Sequence, residues 1–148
     1  MNAIIDQQRE GQMELPFELQ ENETEFQIQQ RVYGKFGLNY QGPPRRLDPE
    51  EKAFFIKCLR EELDEYEKAD TIEDEYDAAL DTIVFSFDIL IRMGLPFREG
   101  FIEVAKANIS KQLAGTKKKS KRLWELDLIK PAGWRAPNLK AIVKGLRK

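Results

Sequence analysis

Apolar residues return every three or four positions from about residue 22 to residue 114, the spacing of helices that bury one side. The clearest pair lies between Asp48 and Met93. Asp48-Pro49-Glu50-Glu51 sets a capping acid before a proline, with a glutamate three residues past the cap, so a helix is predicted to start there. It runs on to about Ala69, where Thr71-Ile72-Glu73-Asp74 offers a second capping box. The next helix continues to Gly94, with Pro96 as a stop signal. So short a connection makes the two helices antiparallel neighbours. A first helix is expected from about Asn22 to Phe36, with Phe26, Gln30 and Tyr33 on one face and Ile28 and Val32 on the adjacent one. A fourth is expected from Pro96 to about Ala114, turning Phe101, Val104 and Ile109 inward, and Asn138 to Lys148 reads as a short basic helix. The fold class is all-α.

Acids interrupt this pattern at telling places. Phe55, Leu59, Glu62 and Tyr66 fall on one helical stripe, which points Glu62 inward. Asp77, Val84 and Ile91 are spaced by heptads, which predicts that Asp77 also points inward. Folding the hairpin about residues 70 and 71 brings Glu62 and Glu65 level with Asp74, Asp77 or Asp81, depending on where the turn is centred. Carboxylates gathered in a low-dielectric bundle repel one another and lose hydration, at a cost of several kcal/mol per ion unless something compensates. A hard cation is the natural compensator, and magnesium, calcium, manganese or a metal pair all suit oxygen ligands. Solvated acids fit the same spacing. Glu67, Glu73 and Glu75 are expected to face water, and Asp74 doubles as the reciprocal partner of Thr71.

Composition narrows the chemistry. The 148 residues, 41 % hydrophobic and 34 % charged, suit one helical domain. A single cysteine, Cys58, excludes an intramolecular disulfide framework, fits a reducing cytoplasm and reads as a small core residue. With no histidine, histidine zinc sites, Ser-His-Asp triads and histidine bases are excluded, so the chemistry has to come from carboxylates. The first twenty or so residues lack the basic start and apolar run of a signal peptide and read as a loose arm, in which Leu15-Pro16-Phe17 offers a docking segment for a partner subunit. No stretch is apolar enough to span a membrane, and no membrane partner is expected.

Charge is split unevenly along the chain. Residues 1–103 hold 11 basic and 24 acidic side chains, a balance of −13, and residues 104–148 hold 13 and 2, a balance of +11, which together give the net −2. Such halves could embrace each other or close on one polyanionic substrate across a dimer. The densest run is Lys117-Lys118-Lys119-Ser120-Lys121-Arg122. It keeps open a nucleic-acid-binding accessory protein, as the bare helices keep open an interaction scaffold. Nucleic acid is not the expected partner, because no aromatic residue is interleaved with the run.

Glu61-Glu62-x-x-Glu65, followed on the next helix by an acid pattern ending in Asp81, resembles the EExxE and ExxD signature of the all-α nucleoside triphosphate pyrophosphohydrolases, the superfamily that includes MazG, dimeric dUTPases and phosphoribosyl-ATP pyrophosphohydrolase. Phe36-Gly37, the run from Asp77 to Phe85, Gly94-Leu95-Pro96, Val104-x-x-x-Asn108-x-x-Lys111 and Lys130-Pro131-Ala132-Gly133-Trp134 are similar to stand-alone MazG-like proteins, many of them phage-encoded. The likeness covers roughly residues 25 to 140. One departure stands out: a strict ExxD needs glutamate at 74 or 78, where this chain has Asp74 and Ala78.

The resemblance implies a four-to-five-helix bundle over residues 22–114, a flexible arm over 1–21, a basic irregular extension over 115–148, and a homodimer or homotetramer. It also implies hydrolysis of a (deoxy)nucleoside triphosphate to monophosphate and pyrophosphate in the cytoplasm, of the host cell if phage-encoded. Mg2+ or Mn2+ would be held by Glu62, Glu65, Asp77 and Asp81, with Asp74 in reserve. Glu61 and Glu62 would be catalytic, and Gln30, Asn108, Lys111 and Lys130 would contact the substrate. Read from the residues alone, Gln30 is a surface glutamine or a partner for a base edge.

Overall fold

The computed structural model describes residues 18–148. Leu15-Pro16-Phe17 and most of the expected N-terminal arm lie outside the described residues. Within them, helices α1 (Glu25–Lys35), α2 (Pro49–Lys68), α3 (Ile72–Met93), α4 (Phe97–Ile109) and α5 (Leu139–Leu146) carry the fold, and no helix is long and apolar enough to cross a membrane.

The helix starts follow from local chemistry. Thr24 opens α1 by accepting the N–H of Gln27 while the Gln27 side chain accepts the N–H of Thr24. Asp48 does the same for α2 with Glu51, and Pro49 occupies the first turn. Thr71 accepts the N–H of Asp74 at 3.1 Å, and its hydroxyl donates to Asp74 Oδ2 at 2.7 Å. Gly94 ends α3 in the left-handed region, φ +68. An added Cβ there would come within 3.1 Å of the Gly42 carbonyl oxygen and the Tyr40 ring.

Antiparallel packing of α2 on α3 forms the body, and α1 crosses the C-terminal half of α3. Phe26 of α1 meets Phe87 edge-on and stacks on Phe97 of α4. Phe55, Cys58, Ala78, Phe87 and Ile91 are buried between these elements. Glu51 ties the ends together, accepting from Arg45 of the connecting loop and from Arg92 of α3. Arg45 is thus engaged in the body.

The C-terminal third departs from expectation. Helix α4 stops at Ile109, five residues short of the predicted end, because its last turn is closed by side chains: the Ser110 hydroxyl and the Trp134 indole N–H both donate to the Ala107 carbonyl. Ile109 is 88 % exposed and Phe101 more than half exposed, so of the three residues expected to pack inward only Val104 is even half-buried. Beyond α4 the chain is irregular over most of its length up to Asn138, where α5 begins within the stretch expected to be a short basic helix. Strands β1 (Gln112–Leu113) and β2 (Leu128–Ile129) pair antiparallel, Gln112 opposite Ile129, and a single 3₁₀ turn (Lys117–Lys119) lies in the loop between them.

Candidate metal centre

Helix α2 turns Glu62 towards α3, where it is buried and only 8 % exposed. Its Oε2 has no hydrogen-bond partner. Burial pushes its carboxyl above the ordinary range, and Glu65, Asp81, Asp77 and Glu61 push it further, in that order. Asp81 is half-buried and likewise raised, by burial and then by Asp77. Four other acids singled out in the sequence therefore bear on Glu62, Glu61 and Glu65 from its own helix and Asp77 and Asp81 from α3.

Asp77 corrects one expectation, since its side chain is exposed. The residue that faces α2 is Ala78, 2 % exposed, whose small side chain lets the helices approach. At 100° per residue, Asp77 and Asp81 flank Ala78 on one side, above the seam. Asp74 is taken up by Thr71 and is not among the acids that act on Glu62. Of the two positions where a strict ExxD needs glutamate, 74 is held by an aspartate bonded to Thr71 and 78 by an alanine packed on α2.

All the donors here are carboxylate oxygens, which fit a hard cation such as Mg2+ or Mn2+, and the buried, unpartnered Oε2 of Glu62 fits a ligand atom. Among the described residues no three such side chains already stand in an ion-enclosing arrangement. Glu65 and Glu61 are exposed, and Glu61 is 3.8 Å from Lys57 on its own helix.

The expected substrate contacts fall into two groups. Lys111 and Lys130 both lie over Trp134, with Nζ atoms 5.7 and 4.3 Å from the ring centroid. Asn108, in the last turn of α4, is exposed, and its carbonyl accepts the N–H of Lys111 at 3.0 Å, which seats Lys111 just beyond the end of that helix. Gln30 is an exposed residue lining a cavity of about 790 Å³ with Phe26, Asn39, Tyr40, Gly94 and Phe97. Gly94 is thirteen residues beyond Asp81 on α3, about 20 Å along the helix, so within one chain Gln30 does not join the acids.

One buried acid was missed by the sequence reading. Asp88, 3 % exposed, accepts from Gln29 Nε2 at 2.7 Å and from Tyr33. Burial raises its carboxyl, against the pull of those two hydrogen bonds. Its signal was available: Asp88 lies seven residues after Asp81, two turns up nearly the same stripe.

Compared with known proteins, the chain matches no family model and no curated protein.

Proposed function

We propose that this protein is a metal-dependent nucleoside triphosphate pyrophosphohydrolase of the MazG-like type, releasing pyrophosphate and a nucleoside monophosphate. The observation that carries this reading is Glu62: buried, one oxygen unpartnered, and bearing the repulsion of Glu65, Asp81, Asp77 and Glu61. A helical protein has no structural use for such a cluster, since each buried charge costs stability unless it is paired.

Glu62, Glu65, Asp77 and Asp81 are the residues that would hold Mg2+ or Mn2+. When bound, the cation would supply neutralisation of the triphosphate charge and a lowered pKa for water. Glu61, at the exposed rim, takes the proton of the attacking water at its carboxylate. Lys111 and Lys130, fixed over Trp134, and the Asn108 amide offer positive charge and hydrogen bonds to the departing pyrophosphate.

Self-association belongs to the same proposal. Ile72, Tyr76, Leu80 and Ile83 form a bare stripe on α3 beside exposed Leu63 and Tyr66 on α2. By helical phase the stripe lies across the hairpin from the acids, so a second copy seated on it leaves the carboxylates open.

The test is pyrophosphate release from each ribo- and deoxynucleoside triphosphate, with magnesium and with excess chelator. Turnover that needs the metal and disappears in Glu62→Gln is expected. Undiminished turnover in chelator, or no turnover of any triphosphate, would sink the proposal.

A further inference from the structure

The loop of residues 114–127 is built to hold a shape. Its base continues the β1–β2 ladder, with Ala114 N–H donating to Asp127 O at 2.8 Å and Gly115 N–H to Glu125 O at 2.9 Å. Its centre is Ser120, 3 % exposed, which donates to Asp127 Oδ2 at 2.7 Å and accepts the N–H of Arg122 at 3.0 Å. Arg122 closes on the same carboxylate through Nη1, at 2.8 and 3.0 Å. Asp127 is thereby used up inside the loop, and its carboxyl is held below the ordinary range chiefly by the Ser120 hydroxyl.

What the loop presents outward is specific. Lys117, Lys118, Lys119 and Lys121 are exposed, and none makes an ion pair among the described residues. Trp124 is 56 % exposed, unlike Trp134, whose indole is bonded to α4. Leu123 beside it is 70 % exposed and is held at φ +56, a left-handed backbone that a leucine adopts only when the surroundings impose it. The expectation against nucleic acid rested on the basic run, which contains no aromatic residue. The fold places a bare indole on the same rigid loop.

We infer that this loop is a docking site for single-stranded nucleic acid, with the four lysines on the backbone phosphates and Trp124 stacked on an unpaired base. Several unpaired cations fit more than one phosphate, and so a strand in preference to a free nucleotide. A flat indole finds a π-face only on a base that is not already stacked in a duplex. An anionic membrane fits less well, because Glu125 stands between Trp124 and Leu126 and would be carried into the lipid headgroups with them. This activity is additional to triphosphate hydrolysis and uses none of the residues assigned to it.

The experiment is a fluorescence-anisotropy titration of the full chain against a labelled fifteen-nucleotide oligothymidine at 50 and 200 mM salt. Four phosphate contacts predict a loss of affinity of about fiftyfold between those conditions. Trp124→Ala should weaken binding at least about fivefold. The combined variant Lys117→Ser, Lys118→Ser, Lys119→Ser and Lys121→Ser should flatten the salt dependence while leaving circular dichroism and pyrophosphate release unchanged. Absence of binding at 50 mM salt would overturn the inference, as would binding that both variants retain. Binding to phosphatidylserine vesicles without binding to the oligonucleotide, or salt-sensitive self-association in its place, would overturn it equally.

Discussion

Glu62 carries a charge that the chain itself leaves uncompensated, and two predictions belong to it and its neighbours. Glu62→Gln removes a buried, repelled charge, so without metal the variant should melt a few degrees above the unmodified protein, at about 2–4 °C per kcal/mol for a chain of this size. The same change should abolish both the magnesium-induced rise in melting temperature and nucleotide turnover. Asp81→Asn should cost at least about 10²-fold in rate. Asp74→Asn should leave the rate nearly unchanged, because its side chain serves Thr71; the reverse ranking would move Asp74 into the site. Acid titration supplies the third prediction. Arg45 and Arg92 hold the Glu51 carboxyl down at about 2, so its stabilising contribution is complete above the ordinary value of 4.5 and is lost as pH falls from there towards 2. Glu62 and Asp81 are raised, so they act in the opposite sense: they favour the fold while protonated, and their ionisation destabilises it as pH climbs through and above the ordinary carboxylate range. Melting curves of the metal-free protein from pH 2 to 8 should therefore peak in mild acid. A monotonic rise to neutrality would show that these acids are not uncompensated.

Individual helices were legible in the sequence wherever their ends are decided by neighbours in the chain. Asp48-Pro49, Thr71 and Gly94 fix the bounds of α2 and α3 within a residue or so, because capping and the left-handed turn are local chemistry. Substituting Asp48→Ala should cost about 1 kcal/mol by denaturant titration, as loss of a cap does. The end of α4 was not legible, since Trp134, twenty-seven positions away, supplies a donor to its last turn. The same limit governs the acids. Heptad spacing identified the inward stripe on α3, yet its exact phase is set by Ala78 against α2, and one step of 100° separates a buried Asp77 from an exposed one. Arg45 shows the same limit: its partners Glu51 and Arg92 are set by tertiary packing, which a loop's composition does not encode.

At the scale of the whole molecule, the described residues leave a bare apolar stripe on α2 and α3. Leu80→Glu with Ile83→Glu should convert an oligomer to monomer in sedimentation velocity, and an unchanged sedimentation coefficient would remove the stripe from the interface. Truncation after Ala114 should leave α1 to α3 intact by circular dichroism while raising the Michaelis constant, because Lys130 and the Trp134 platform go with it. An unchanged constant would show that these groups do not hold the substrate. Cys58 lends the molecule one more property. It is the chain's sole thiol, 7 % exposed on α2, and burial pushes its pKa up. An alkylating reagent can reach it only when α2 lifts from the helices packed on it, so the rate of modification counts openings of the body that carries the acids. Added magnesium should slow that clock, and each chain, once opened, should take up a single label.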